Sequence, residues 1–167
     1  MRILIVGAGA VGGYFGGRLA QAGRDVTFLV RPRRGEQIQA QGLRILSPYY
    51  GDFTVRPKTI SAAQIVSAYD IIFLSVKSYD LAAAIDDFAP AVGPRTVIIP
   101  VLNGMRHIDV LTERFGKDAV LGGVCYGDLL IGSVSSSARR AASVGRQHCG
   151  WPRKAREPSW SPDDGTL

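Results

Sequence analysis

Residues 3–12 read Ile-Leu-Ile-Val-Gly-Ala-Gly-Ala-Val-Gly, and this stretch decides the fold. The run from Arg2 to Val6 is rich in isoleucine and valine, which is typical of a parallel strand buried on both faces of a sheet. The glycines that follow match the pattern G-x-G-x-x-G. Alone this pattern is weak, but here it comes directly after a buried strand and opens a helix. That context is the one a dinucleotide-binding turn requires.

The segment after the glycines completes one βαβ unit. Apolar side chains recur there at helical spacing until Gly23, where we expect the helix to end. A second strand is predicted over residues 25–30, and Arg31-Pro32 closes it. Strand, glycine-rich turn, helix and strand follow one another within about thirty residues, as in a right-handed βαβ unit. The expected apolar face of the helix consists of Val11, Phe15, Leu19 and Ala22.

Each glycine of the motif has its own role in binding a pyrophosphate. Gly7 permits the tight turn, Gly9 lets the backbone approach the phosphates, and Gly12 allows the helix to pack closely on the strand. Exposed N–H groups and the helix dipole favour an anion at this end of the helix. The alternative is a structural turn without a ligand. The predicted cofactor contacts in this loop are Gly7, Ala8, Gly9, Ala10, Val11 and Gly12.

The end of the second predicted strand indicates which dinucleotide binds. NAD enzymes usually offer Asp or Glu there to the ribose 2′-hydroxyl. This chain has Arg31 instead, followed by Pro32, Arg33 and Arg34. A guanidinium at this place would pair bidentately with a 2′-phosphate, so Arg31 favours NADP(H) over NAD(H). For Arg33 and Arg34, a solvated basic loop is an equally good interpretation.

Strands and helices continue to alternate beyond this unit. Residues 43–46 and 53–55 predict an antiparallel hairpin or excursion. Further strands are predicted over residues 70–76, 96–102 and 119–125. One helix is predicted at about 79–88. A second helix ends at Gly116, and its apolar face is marked by Ile108, Leu111 and Phe115. This order predicts an α/β fold with a Rossmann-type doubly wound, mostly parallel sheet.

Five blocks of the sequence are distinctive in combination. They read IVGAGAVGGYFG at 5–16, VTFLVRP at 26–32, SVKSYD at 75–80, LNGM at 102–105 and LGGVCY at 121–126. In this order they resemble the N-terminal domain of the ketopantoate reductase family, the 2-dehydropantoate 2-reductases. The resemblance covers the chain from Met1 to Tyr126 and is far more specific than the glycine motif alone.

The resemblance implies NADPH-dependent reduction of a 2-oxo acid, ketopantoate to pantoate, on the route to pantothenate and coenzyme A. It implies that the glycine loop, Arg31 and Lys77 contact the cofactor, and that Asn103 lies near both the nicotinamide and the substrate. Lys77 and Asn103 each follow an apolar strand at its carboxyl end, where ligands of an open α/β sheet bind. Without the resemblance, Lys77 reads as a solvated lysine and Asn103-Gly104 as a simple turn or cap.

Several neighbouring residues receive no functional assignment. Ser75 and Tyr79 are expected to serve packing, and His107 is expected to be exposed on the helix after Asn103. Cys125 is expected to behave as a small buried hydrophobic residue.

Beyond Tyr126 the alternating pattern ends. Members of the family continue into a helical C-terminal domain that carries a catalytic lysine and a substrate-binding glutamate. Lys154 and Glu157 match neither, so we predict no catalytic residue and little or no reductase activity for this chain alone. We expect an NADP-binding domain over residues 1–131 and a poorly structured basic tail over 132–167, with the helical domain absent. A frameshift or truncation after about Tyr126 is our hypothesis, and a natural short variant is the alternative.

Composition and charge restrict the other classes of function. The chain is 46% apolar and 20% charged, which is enough to build a buried core. No apolar run approaches the ~20 residues of a membrane span. Residues 132–167 hold six basic and three acidic side chains, half of the net charge of +6. A nucleic-acid binder acting through this tail is a minor alternative, because the tail lacks aromatic residues on a patterned element.

Cys125 and Cys149 have no metal-ligand spacing and do not indicate a disulfide scaffold. We therefore expect a cytoplasmic protein without a metal site. Its expected partner is a small-molecule 2-oxo acid, with no nucleic acid or membrane, and the full-length family members are expected to form homodimers. The second functional hypothesis is a non-catalytic NADP-binding or sensing module, which would need the glycine loop and Arg31 but no substrate residue.

Overall fold

The computed structural model describes residues 1–47 and 51–122. Its strands are β1 (Arg2–Val6), β2 (Asp25–Leu29), β3 (Leu43–Ile45), β4 (Phe53–Val55), β5 (Lys58–Ile60), β6 (Ile71–Leu74) and β7 (Val97–Pro100). Its α-helices are α1 (Ala10–Gln21), α2 (Pro32–Gln41), α3 (Leu81–Phe88) and α4 (Arg106–Phe115). Short 3₁₀ turns occupy Ala62–Gln64, Ser78–Asp80, Ala89–Ala91 and Lys117–Ala119.

Five of the strands form one parallel sheet in the order β5-β2-β1-β6-β7. Strand β1 pairs in parallel with β2 on one side and with β6 on the other. The chain therefore winds first to one side of β1 and then to the other, so the doubly wound α/β fold is confirmed. The order of winding reverses between β1 and β6, and in such sheets the ligand crevice lies at the carboxyl ends of these strands.

Strand β1 is buried on both faces, as its composition predicts. Leu4 and Val6 belong to one core cluster, and Ile3 and Ile5 belong to the other. The first cluster includes Ile72, Leu74, Phe88, Ile98 and Leu111, and the second includes Val26, Phe28, Ile38, Leu43 and Ile45. Because successive side chains of a strand point to opposite faces, a continuous apolar run lets β1 contribute to both.

Helix α1 buries a different face from the one expected. Its buried residues are Gly12, Gly13, Gly16 and Gly17, whereas Phe15 is 37% exposed. A Cβ added at Gly16 would lie 2.5 Å from Cζ of Phe28, which is closer than side-chain atoms approach. The glycines thus let the helix lie directly on the sheet beside a large aromatic side chain. Of the predicted apolar positions, Leu19 is partly buried and packs against the second core cluster, whereas Phe15 and Ala22 are exposed.

The other elements agree with the predicted order, apart from β5, the start of α3 and the strand predicted from residue 119. The hairpin is confirmed, since β3 and β4 pair antiparallel. Strand β5, which pairs in parallel with β2, was not expected, because three residues after a proline carry little periodic signal. The helix predicted at 79–88 begins with a 3₁₀ turn, and α3 itself begins at Leu81.

At the end of the described region, Val120 makes an isolated parallel bridge to Ile98 where a strand was predicted from residue 119. The rest of that predicted strand, Cys125, Tyr126 and the predicted tail over 132–167 lie outside the described residues. None of the helices within residues 1–47 and 51–122 has the length and apolar character needed to cross a membrane.

Candidate functional site

The glycine loop follows β1, and two of its glycines are required by the packing of the chain itself. Gly7 has a φ of +98°, a backbone conformation that side chains disfavour. A Cβ added at Gly12 would lie 2.1 Å from the carbonyl oxygen of Gly7 and 2.1 Å from Oγ of Ser75. These two positions therefore hold the turn and let α1 begin close behind it.

Gly9 is different, because the fold does not require a glycine there. Its φ is −84°, which any residue adopts, and a Cβ added to it would meet no atom within 4 Å. Gly9 stands at the N-cap of α1, no side chain caps the helix, and its first turn has no acidic residue. The open space beside Gly9 and the free N–H groups of the helix fit the close approach of an anionic group such as a pyrophosphate.

Ser75, directly after β6, ties this strand to the glycine loop. Its hydroxyl lies 3.0 Å from the carbonyl oxygen of Gly7 and 3.2 Å from that of Val6, and its backbone N–H donates to Val6 at 2.9 Å. One hydroxyl hydrogen is shared between two acceptors in this arrangement. Ser75 is thus a hydrogen-bonding support of the turn, beyond the packing role that the sequence indicated.

Arg31 follows β2, as expected, and its partner is an acidic residue for which the sequence indicated no role. Nη2 of Arg31 donates a hydrogen bond to Oδ1 of Asp80 at 2.9 Å. The Arg31 side chain is 80% exposed and that of Asp80 is 38% exposed. Asp80 follows β6 at the same sheet edge as Lys77. Lys77 was predicted because ligands bind at the carboxyl ends of parallel strands, and the same reasoning applies to Asp80.

Two cavities lie along the carboxyl edge of the sheet. The first, which we call the Arg31 cavity, has a volume of about 590 Å³, and the second, the Asn103 cavity, has about 520 Å³. Both are lined by Gly7, Val76 and Asp80, so they meet at the end of β1. The predicted contacts Ala8 and Arg31 line the first cavity, and Gly9, Ala10, Val11, Lys77 and Asn103 line the second.

The walls of the two cavities differ in chemistry. Small apolar side chains, Ala62, Ala63, Ala83 and Ala84, contribute much of the wall of the Arg31 cavity. Such a wall leaves room for a flat aromatic base beside the guanidinium. In the Asn103 cavity, Lys77 and Asn103 are exposed, and Gly104 turns the chain after Asn103 with a φ of +85°.

Arg33 and Arg34, for which the sequence left two interpretations, both lie in the first turn of α2. Arg34 lines the Arg31 cavity and donates from Nη1 to Oε1 of Gln37 at 2.6 Å, whereas Arg33 is exposed and lines neither cavity. Within the described ranges, no group of His, Cys, Asp and Glu side chains is arranged to hold a metal ion.

His107 corrects one expectation. It is buried, with 6% of its surface exposed, and loss of solvation lowers its pKa below the usual 6.5. The expectation of an exposed histidine was wrong because His107 precedes the buried Leu111 by four residues, which places both on the same face of α4. This spacing was the signal available in the sequence.

A glycine loop at the reversal point of a parallel sheet, with a cleft along the carboxyl edge, defines a Rossmann-type domain of the dinucleotide-binding class. The chain belongs to the ketopantoate reductase PanE/ApbA family, whose model matches residues 3–141. The match includes every predicted contact residue and extends past Tyr126, where the recognisable blocks end.

Curated relatives agree with this membership. The chain is 46% identical over 126 residues to an uncharacterized oxidoreductase, YkpB, of Bacillus subtilis, covering 75% of this chain and 41% of the relative. It is 38% identical over 148 residues to a 2-dehydropantoate 2-reductase of Mesorhizobium japonicum, covering 75% of this chain and 45% of the relative. The chain thus spans less than half the length of the curated relatives it matches.

Solved structures share the fold. A 2-dehydropantoate 2-reductase from Geobacter metallireducens superposes with a TM-score of 0.73 at 32% identity, covering 80% of this chain and 44% of that one. A D-mandelate dehydrogenase solved with NADH and anilino(oxo)acetate superposes with a TM-score of 0.67 at 26% identity, covering 74% of this chain and 40% of that one. The family and these neighbours are oxidoreductases, and the family uses NADPH.

Proposed function

We propose that this chain binds NADP(H) and contributes the cofactor-binding part of a reductase that converts ketopantoate to pantoate. One observation carries the proposal: residues 7–11 of the glycine loop, Arg31, Lys77 and Asn103 line two cavities that meet at the end of β1. These residues come from four separate segments of the sequence. Membership of the ketopantoate reductase family supports the substrate.

Each group has a role that its chemistry suits. Free N–H groups of the glycine loop would hold the pyrophosphate, and the Arg31 guanidinium would hold the 2′-phosphate. Lys77 would bring a positive charge to the cofactor in the Asn103 cavity. The Asn103 amide both donates and accepts, so it would orient the nicotinamide end and a substrate oxygen. When bound, the cofactor supplies the hydride chemistry.

Reduction of a 2-oxo acid also needs a proton donor for the carbonyl oxygen. The charged side chains that line the Asn103 cavity in the described region are Lys77 and Asp80. We assign Lys77 to the cofactor, and Asp80 accepts a hydrogen bond from Arg31. We therefore propose that this chain alone has little or no reductase activity. A steady-state assay with NADPH and ketopantoate tests this, and ordinary turnover would contradict it.

Two observations favour a second substrate within the same reaction type. The D-mandelate dehydrogenase neighbour was solved with anilino(oxo)acetate, and the Bacillus subtilis relative is named only as an oxidoreductase. A reductase acting on another 2-oxo acid is thus the first alternative. We further propose that the protein acts in the cytoplasm on a small-molecule substrate, without nucleic-acid or membrane partners, and that its full-length relatives form homodimers.

Substitution of Arg31 tests the cofactor. Arg31→Ala is expected to weaken NADPH binding about tenfold, because a charge-assisted bidentate contact is lost, and NADH binding less than about twofold. Calorimetric titration of each dinucleotide into the full chain measures both. Arg24→Ala is the control, since Arg24 is also exposed but precedes β2 at the opposite edge of the sheet. If the affinities for NADPH and NADH fell equally, Arg31 would not bind the 2′-phosphate.

Substitution of Asn103 distinguishes a reductase from a sensing module. We expect Asn103→Ala to weaken binding of ketopantoate to the chain saturated with NADPH, while the affinity for NADPH alone falls only slightly. A sensing module needs no substrate residue, so it would show no binding of ketopantoate in either protein. The titration is repeated with other 2-oxo acids to identify the preferred substrate.

A further inference from the structure

Asp80 stands where the Arg31 cavity and the Asn103 cavity meet. It is contributed by the segment after β6, and Arg31 by the segment after β2, while β1 lies between these two strands in the sheet. Their 2.9 Å hydrogen bond, which we call the Arg31–Asp80 pair, therefore spans the carboxyl end of β1. Gly7, where the glycine loop begins, lines both cavities at the same place.

This arrangement places a carboxylate beside the group proposed to bind the 2′-phosphate. A phosphate that binds Arg31 bidentately uses two guanidinium N–H donors, and Asp80 already accepts from Nη2. The phosphate also brings negative charge next to the carboxylate. An unphosphorylated ribose brings no charge, and its hydroxyl groups can donate to a carboxylate. Asp80 would thus weaken the binding of NADPH and leave the binding of NADH largely unaffected.

We propose that Asp80 is a specificity-determining residue: it competes with the 2′-phosphate for Arg31 and lowers the preference of the site for NADPH over NADH. The inference rests on the proposed function, because it requires a site that binds dinucleotides. Asp80 moderates the preference and does not reverse it. The Arg31 side chain is 80% exposed, and an exposed ion pair of this kind is weak enough for a phosphate to displace.

Asp80→Asn tests the inference, because it removes the charge and keeps the size of a side chain that makes no capping hydrogen bond to α3. Calorimetric titrations of NADPH and NADH into the full chain give the ratio of the two dissociation constants. We expect NADPH to bind about fivefold more tightly and NADH to change less than about twofold. Asp80→Ser, which is also uncharged, is expected to shift the ratio in the same direction.

Two controls isolate the position of the charge. Asp86→Asn removes a carboxylate from α3, the helix that follows Asp80, and with it a 3.7 Å ion pair to Arg114. Asp86 lines neither cavity, so this variant should leave the ratio unchanged. Asp80→Glu keeps the charge and should stay within about twofold of the original ratio. Circular dichroism of each variant verifies the fold.

An unchanged ratio in folded Asp80→Asn, with both dinucleotides still bound, overturns the inference and leaves the proposed function intact. A ratio that moves toward NADH also overturns it, because Asp80 would then be holding Arg31 in place for the phosphate. If the unsubstituted chain binds neither dinucleotide, the proposed function fails, and the inference fails with it.

Discussion

The glycine loop and the side chains that face it contribute to the cofactor cleft in different ways. In the loop, backbone and packing define the shape, since a Cβ at Gly12 would collide with the carbonyl oxygen of Gly7. The side chains proposed to supply the chemistry, Arg31, Lys77 and Asn103, are instead exposed. A change at Gly12 is therefore expected to disturb the fold, whereas changes at Gly9 and in the exposed side chains are expected to leave it intact.

This difference separates what the fold requires from what the ligand requires. Gly12 has to be small for α1 to begin close behind the Gly7 turn. Arg31 has no such constraint, because its side chain is 80% exposed and the end of β2 would accept many residues. Under the proposed function, the backbone of the loop would determine the class of ligand, and a few surface side chains would determine the choice between related dinucleotides.

The largest expected effect is at Gly12. Gly12→Ala places a methyl group 2.1 Å from the Gly7 carbonyl oxygen and from Oγ of Ser75, so the loop or the start of α1 has to move. We expect the free energy of unfolding to fall by about 3 kcal/mol, with a thermal midpoint roughly 10 °C lower. Urea and thermal denaturation measure these changes. A variant as stable as the unsubstituted chain would show that the loop is less constrained than its packing indicates.

The next effect is at Gly9, the loop position where the fold does not require a glycine. Gly9→Ala meets no protein atom within 4 Å, so the free energy of unfolding should change by less than about 0.5 kcal/mol. Binding of NADPH and NADH should nevertheless weaken about tenfold each, because the methyl group occupies the space that the pyrophosphate approaches. Calorimetric titration of Gly9→Ala measures the affinity for each dinucleotide, and urea denaturation of the same sample measures the free energy of unfolding.

The control for Gly9 is Gly35→Ala in helix α2. A Cβ at Gly35 would make an ordinary 3.5 Å contact with Cγ2 of Val30, and Gly35 lines neither cavity. We expect this variant to bind both dinucleotides normally. Full affinity in Gly9→Ala as well would mean that the open space beside Gly9 does not face the ligand.

Much of this site was predictable because its signals are local or follow from strand order. A buried apolar strand followed by G-x-G-x-x-G predicts β1, the turn and the start of α1 within a dozen residues. The rule that ligands bind at the carboxyl ends of parallel strands then places Arg31, Lys77 and Asn103 at one edge. The structure brings all of them to the two adjoining cavities.

The features that escaped prediction depend on contacts between distant residues. Asp80 lies 49 residues after Arg31, and nothing in either segment specifies that their side chains meet. The buried face of α1 was misjudged because a glycine has no side chain and carries no hydropathy signal. Gly16 faces the sheet because Phe28, on the neighbouring strand, fills the space that a side chain would take.

The smallest expected effect concerns His107, in the helix that follows Asn103. Burial lowers its pKa in the folded chain, while the unfolded chain keeps a value near 6.5. Below that pH the unfolded chain binds the proton more readily, so stability is full above pH 6.5 and falls as the pH drops through the window below it. We expect a loss of less than about 1 kcal/mol in the free energy of unfolding between pH 7.5 and 5.5.

The carboxylates of the chain also titrate as the pH falls, so the comparison needs a variant that isolates the histidine. His107→Gln removes the titrating group, and its stability should depend less on pH over the same window, whatever its absolute value. Urea denaturation of both proteins at the two pH values measures the difference. If the free energy of unfolding depended on pH equally in the two proteins, His107 would be protonated as readily in the folded chain as in the unfolded one. Its burial would then not disfavour the charged imidazolium in the folded chain.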